Sequence, residues 1–207
     1  TLANGVSHSP TEQFTRNCRR RGYTIDVDLE PIKEVADRLA FIAEREGKPV
    51  VGYHALTDLR LYCHRVAGVV GLMFCKVANV TEPRAAAYAA DLGAAMQLTN
   101  IVRDISDDAS AGRIYIPQDV LRRAGCSADS NALSQPAGLL RAALQLLKEA
   151  DRLYASGRRG LRFLPLRSAL AVAVALELYR GIGSEFRRRA RKSQNPWAKR
   201  IYVSPLR

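Results

Sequence analysis

The sequence predicts an all-α protein, and three observations predict it. Apolar residues recur at three- and four-residue intervals over most of the chain. Strict alternation is confined to the short RIYI run at residues 113–116. Prolines and acidic residues mark helix starts, and glycines mark helix ends. The composition agrees: 207 residues suffice for one large domain, and 47% hydrophobic with 25% charged residues excludes chain-wide disorder. The longest uninterrupted apolar run, Ala169 to Leu176, is far short of a membrane span. The start reads as polar, without a leader.

The elements follow in order. Residues 1–30 read as a basic segment and residues 31–207 as the helical domain. Pro31 to Glu46 carries a helical stripe of Ile32, Val35, Ala36, Leu39 and Ile42. Thr57 to Ala78 is a second, more apolar helix. Thr81 is the expected cap of a third, with Glu82 and Pro83 in its first turn, running to Asp108 or Ala109. SAGRIYIP is a loop, QDVLRRAG a short helix stopped by Gly125, and Cys126 to Pro136 a surface loop. Gly138 to Ser156 is an amphipathic helix, GRRG a turn, and Leu166 to Arg189 the last long helix. A tail with the sole tryptophan, Trp197, follows.

Several chemistries are excluded. Cys18, Cys63, Cys75 and Cys126 form no CxxC pair and read as reduced thiols of a cytosolic protein. His8, His54 and His64 lack zinc spacing. The net charge of +12 concentrates in RNCRRR at 16–21 and FRRRARK at 186–192. Such runs suit phosphates, nucleic acid or an anionic membrane surface, or are solvated helix faces. No nucleic-acid-binding motif accompanies them, so nucleic acid is not an expected partner.

The most informative stretch is QLTNIVRDISDDASAGRIYIP, residues 97–117. At about 100° per residue, Gln97, Asn100, Asp104 and Asp108 share an arc of roughly 80°. Two carboxylates and an amide oxygen are hard ligands that suit Mg²⁺ with open positions for phosphate oxygens. Arg103 borders the stripe and can hold a phosphate or steady an aspartate. Asp107 lies off the stripe. Gly93, Ala90 and Ala86, upstream on the same face, are small. They leave room for a cavity that would take a long apolar substrate with a charged head, or they permit close helix packing. The acids are a metal site or a hydrated helix end; acids at a helix C-terminus oppose its dipole, which favours function.

That stretch within LGAAMQLTNIVRDISDDASAGRIYIPQDVL, then LRLYCHRVAGVVGLM, and ALELYRGIG followed by KRIYVS, are recognisable. Together they resemble the squalene/phytoene synthase family, in its bacterial type. The resemblance implies an isoprenoid-synthase-type helical bundle around a central cavity, here partial. It implies a prenyltransferase joining two prenyl diphosphates head to head with release of diphosphate. The cofactor implied is Mg²⁺, with Mn²⁺ able to replace it; NADPH enters only if the product is squalene. Carried across, Asn100, Asp104 and Asp108 are metal ligands, and Gln97, Asn100, Arg103 and Arg113 bind diphosphate. Tyr62 of the YC motif and Tyr179 of the last helix join Asp104 and Asp108 as catalytic residues. By spacing alone, each tyrosine reads more readily as a core aromatic. The cytoplasm, with peripheral contact to an anionic membrane, is the implied location. GRIYIPQDVLRRAG is similar to enzymes using C15 farnesyl diphosphate and YRGIG to those using C20; the first cue is weighted more.

One family element is not found: the first aspartate-rich DxxxD motif. Asp26, Asp28 and Glu30 are spaced by two, and Glu44 and Glu46 align only loosely with a further acidic element. Two expectations follow. Either the active enzyme has a further N-terminal part, or this is a shortened, inactive member with a binding or assembly role. Residues 1–207 alone are expected not to turn over farnesyl diphosphate.

Overall fold

The computed structural model describes residues 53–110, 113–127, 134–193, 195–198 and 201, and every regular element among them is a helix. They all belong to one compact unit, Gly52–Arg207. The expected helix from Pro31 to Glu46, the basic run at 16–21, and Asp26, Asp28, Glu30, Glu44 and Glu46 lie outside the described residues.

Helix α1 spans Leu56–Cys63, a π-helical turn His64–Gly68, and α2 Val69–Val77. Helix α3 is Pro83–Arg103, α4 Ile105–Ser110 and α5 Gln118–Arg123. Helices α6, Pro136–Gly160, and α7, Leu166–Ala190, complete the bundle. The long α3 is central: it packs on α1, the π turn, α2, α6 and α7.

The π turn has a packing cause. Leu59, Cys63, Gly68 and Cys75 are the buried positions of this segment. From residue 63 to 68 an ordinary helix would turn about 500°, which is about 140° off the buried face. A wider turn with i→i+5 bonding brings the face back into register. The pairs Gly93–Ala67, Gly68–Ala90 and Gly71–Ala89 then lie close, so α2 runs antiparallel to α3.

Several expectations need correction. The cap of α3 is Glu82, not Thr81: its carboxylate accepts a bond from the Arg84 amide, and Pro83 begins the helix. GRRG is not a turn. Residues 157–160 continue α6, because Gly157 and Gly160 sit against Leu92 and Tyr88 where a Cβ would not fit. The small face of α3 is not an open cavity at Gly93 and Ala90, since the π turn packs directly there. Finally, α3 does not run on to Asp108; it breaks at Asp104 (φ −98°, ψ 9°) and resumes as α4.

The core lies between α3 and α6. Inside it, Thr99 Oγ1 donates to the Ala95 carbonyl at 3.0 Å, so the Tyr154 hydroxyl, also at 3.0 Å, is left to donate to Thr99. Tyr154→Phe is expected to cost about 1 kcal/mol, the net worth of one such bond, readable by urea denaturation. The three described cysteines, Cys63, Cys75 and Cys126, are buried free thiols. Among the described residues no helix is long and apolar enough to cross a membrane.

Candidate functional site

The polar end of α3 forms the candidate site. Asp104 is the pivot: its amide bonds back to the Asn100 carbonyl at 2.9 Å, and its own carbonyl accepts the Asp108 amide at 2.8 Å. The break therefore keeps Asp104 and Asp108 one turn apart while changing the angle between them. Arg103 closes on the Asp104 carboxylate with two bonds of 2.7 and 2.6 Å. Arg113 pairs with Asp108 at 3.5 Å, and its amide donates to the Asp108 carbonyl at 2.8 Å. Two acids and two guanidinium groups thus neutralise each other in a half-buried cluster.

The charges feel one another. Burial, more than any neighbour, pushes the Asp108 carboxyl above its ordinary range; Asp104 adds to the rise and Arg113 opposes it. The Asp104 carboxylate holds the Arg103 proton more firmly than usual, and Tyr179 and Asp107 contribute from nearby. Tyr179, on α7, thus lies within electrostatic reach of Arg103. Gln97 and Asn100 sit partly buried on the preceding turns of α3.

Two buried polar atoms in the cluster have no hydrogen-bond partner: Asn100 Oδ1 and Arg113 Nε. A buried atom left in this state costs stability and calls for an explanation. An oxygen without a donor suits a cation, and an N–H without an acceptor suits an anion. With two carboxylates beside them, these atoms offer oxygen ligands for a cation and a donor for an anion. The set is incomplete, since among the described residues no group of three or more His, Cys, Asp or Glu side chains could hold a metal ion.

Tyr62 lies in a second cluster. Its ring stands 5.4 Å from Tyr53 and 5.6 Å from Tyr115, and Tyr53 stands 6.4 Å from Tyr115. Burial, reinforced by Tyr115, raises the Tyr62 phenol pKa, so it stays protonated. The adjacent Cys63 thiol is pushed up to about 12 by burial and is no nucleophile. Tyr115 follows Arg113 by two residues and shares a small apolar cleft with Asp108, Ile101 and Ile105. The start of α5 is fixed to the same region, since the amides of Gln118 and Asp119 donate to the Tyr53 and His54 carbonyls. Tyr53 and Tyr115 were not among the sequence candidates. Tyr115 stands within the RIYI run, where it could have been noticed.

A family model described as squalene/phytoene synthase matches residues 8–207, almost the whole chain. The chain belongs to the squalene/phytoene synthase family. It is 46% identical over 132 residues to the 15-cis-phytoene synthase of Pantoea ananas, covering 63% of this chain and 43% of that protein. To the phytoene synthase of Rhodobacter capsulatus it is 38% identical over 162 residues, covering 76% and 47%. The chain thus spans about half the length of the curated relatives it matches. Among solved structures, the squalene synthase HpnC of Alicyclobacillus acidocaldarius shares the fold, with a TM-score of 0.65 at 23% identity over 89% of this chain and 76% of that one. A dehydrosqualene synthase, solved with a ligand, gives 0.55 at 30% identity over 66% and 49%.

Proposed function

We propose that the protein containing this chain is a transferase that joins two prenyl diphosphates head to head and releases diphosphate. The observation that carries the reading is the cluster of Asp104, Asp108, Arg103 and Arg113 around two unsatisfied buried atoms, Asn100 Oδ1 and Arg113 Nε. A diphosphate head would draw Arg103 and Arg113 off their aspartates. That exchange frees two carboxylates beside the Asn100 oxygen, with Gln97 one turn away. Mg²⁺ bound there would neutralise charge building on the departing diphosphate. Tyr179 reaches the same head beside Arg103. Tyr62, kept protonated, can donate a hydrogen bond or a proton to the leaving group, and its aromatic neighbours keep water away.

Apolar tails have a matching surface. Val66, Val70, Met73 and Val77 on the π turn and α2, and Leu166, Leu170, Val174 and Leu178 on α7, are exposed although large and apolar, Val77 at 82% and Leu166 at 76%. Both runs lie on helices that flank α3. The α7 stripe runs from Leu166 to Leu178, about 18 Å of helix, which suits a long hydrocarbon chain.

The names of the relatives support a phytoene-type product, which chemistry would build from C20 substrates, while GRIYIPQDVLRRAG taken alone suggests C15. A phytoene-type product needs no NADPH. A peripheral location at an anionic membrane fits the arginines at the end of α7. A second reading, a binding or assembly role without turnover, draws on the lack, among the described residues, of three or more His, Cys, Asp or Glu side chains grouped to hold a metal ion. The test is mass spectrometry of products from the full-length protein given farnesyl or geranylgeranyl diphosphate, with Mg²⁺ present or chelated. A C40 phytoene-type product that needs Mg²⁺ is expected. No product from either substrate would leave the binding role.

A further inference from the structure

Trp197 follows α7 and reaches back across the bundle. Its indole Nε1 donates a 2.8 Å hydrogen bond to the Val102 carbonyl. The ring stands edge-on to Phe186, 5.2 Å between centroids, and Phe186 is fully buried. Val102 lies two residues before Asp104, where the chain leaves helical geometry. The last four carbonyls of a helix lack intrahelical donors, and that of Val102 is one of them. An indole can only donate, so it satisfies this oxygen when the helix is interrupted. In an unbroken helix the Ser106 amide would claim the oxygen instead.

We infer that Trp197 is a positioning residue, whose indole N–H holds the break at Asp104 and so fixes the relative orientation of Asp104 and Asp108. The inference rests on the proposed magnesium–diphosphate role of those carboxylates. The break is the joint between the two ligands, and a tail residue 95 positions from Val102 sets it. Trp197 touches neither substrate nor metal.

Trp197→Phe keeps the ring against Phe186 and removes only the donor. In the full-length protein, MgCl₂ is titrated by calorimetry in the presence of inorganic diphosphate. The variant is expected to bind Mg²⁺ about fivefold more weakly, the equivalent of one net hydrogen bond. Hydrogen exchange should quicken in residues 105–110 and stay unchanged in α6. Equal Mg²⁺ affinity in variant and wild type would overturn the inference and leave the metal reading standing. A wild type that binds neither Mg²⁺ nor diphosphate overturns both. Should the variant not fold, wild-type protein carrying 5-fluorotryptophan gives a second test. Hydrogen exchange of the Trp197 indole N–H, read through the fluorinated ring, must slow on saturation with Mg²⁺ and diphosphate, because coupling between bond and ligand is reciprocal; an unchanged exchange rate overturns the inference.

Discussion

Asparagine in place of Asp108 is expected to slow condensation by the full-length protein about a hundred- to a thousandfold, and to leave the fold at least as stable at neutral pH. The rate loss is the usual size for removing one group that stabilises charge at the reacting end. The stability follows from the sign of the pKa shift. Burial and Asp104 raise the Asp108 carboxyl above its ordinary 3.8, and Arg113 does not cancel the rise. The folded state therefore holds this proton more tightly than the unfolded chain. Below the unfolded value the charge cost is absent. It grows as pH rises through the window between the unfolded and folded values, and is complete above it. The substituted amide carries no charge and can still accept a bond from Arg113, so it avoids that cost. Melting curves should superimpose near the acid end and separate in favour of the variant toward neutrality. A variant that melts below wild type at neutral pH, or that keeps its rate, would remove Asp108 from the proposed role. Such an opposition between local stability and activity is the ordinary signature of a functional site.

The helices and the polar stripe were legible because both depend on spacing within one segment. The stripe from Gln97 to Asp104 follows from helical geometry, while Asp108 lies beyond the break, and Pro83 and Gly125 mark element ends through their own backbone preferences. What could not be read depends on partners far along the chain. The break at Asp104 is met by Trp197, and the aromatic cluster joins Tyr53 and Tyr62 to Tyr115 from beyond the acidic stripe. Glycine was the most misleading residue. In GRRG it suggested a turn, yet Gly157 and Gly160 let α6 lie against α3. Ala90 and Gly93 suggested an open cavity and instead seat the π turn. A small side chain leaves room, and whether solvent, ligand or backbone fills it is decided by tertiary structure.

That distinction can be measured at Gly93. Glycine inside a helix ordinarily costs about 1 kcal/mol relative to alanine, so Gly→Ala at an open helical site stabilises. At Gly93 the sign should invert. A Cβ there would stand 2.2 Å from the Ala67 carbonyl oxygen and 2.6 Å from its carbon, both backbone atoms that no rotamer change can move. The reciprocal contact, Gly71 against the Ala89 carbonyl oxygen, is equally close at 2.2 Å. The helices would have to separate by about an ångström to restore ordinary contact distances. Overpacking of this kind costs about 3 kcal/mol, enough to outweigh the propensity gain. Gly93→Ala is therefore expected to lower the urea midpoint strongly. Because α1, continuous with the π turn, carries Tyr62 while Asp104 caps the end of α3, the same separation would shift the phenol relative to the acidic cluster. A displacement of about 1 Å can cost about a hundredfold in rate, so activity should fall even where the variant remains folded. A variant as stable as wild type would mean the helices are not in backbone contact, and the small face of α3 would again be free to serve as a cavity wall.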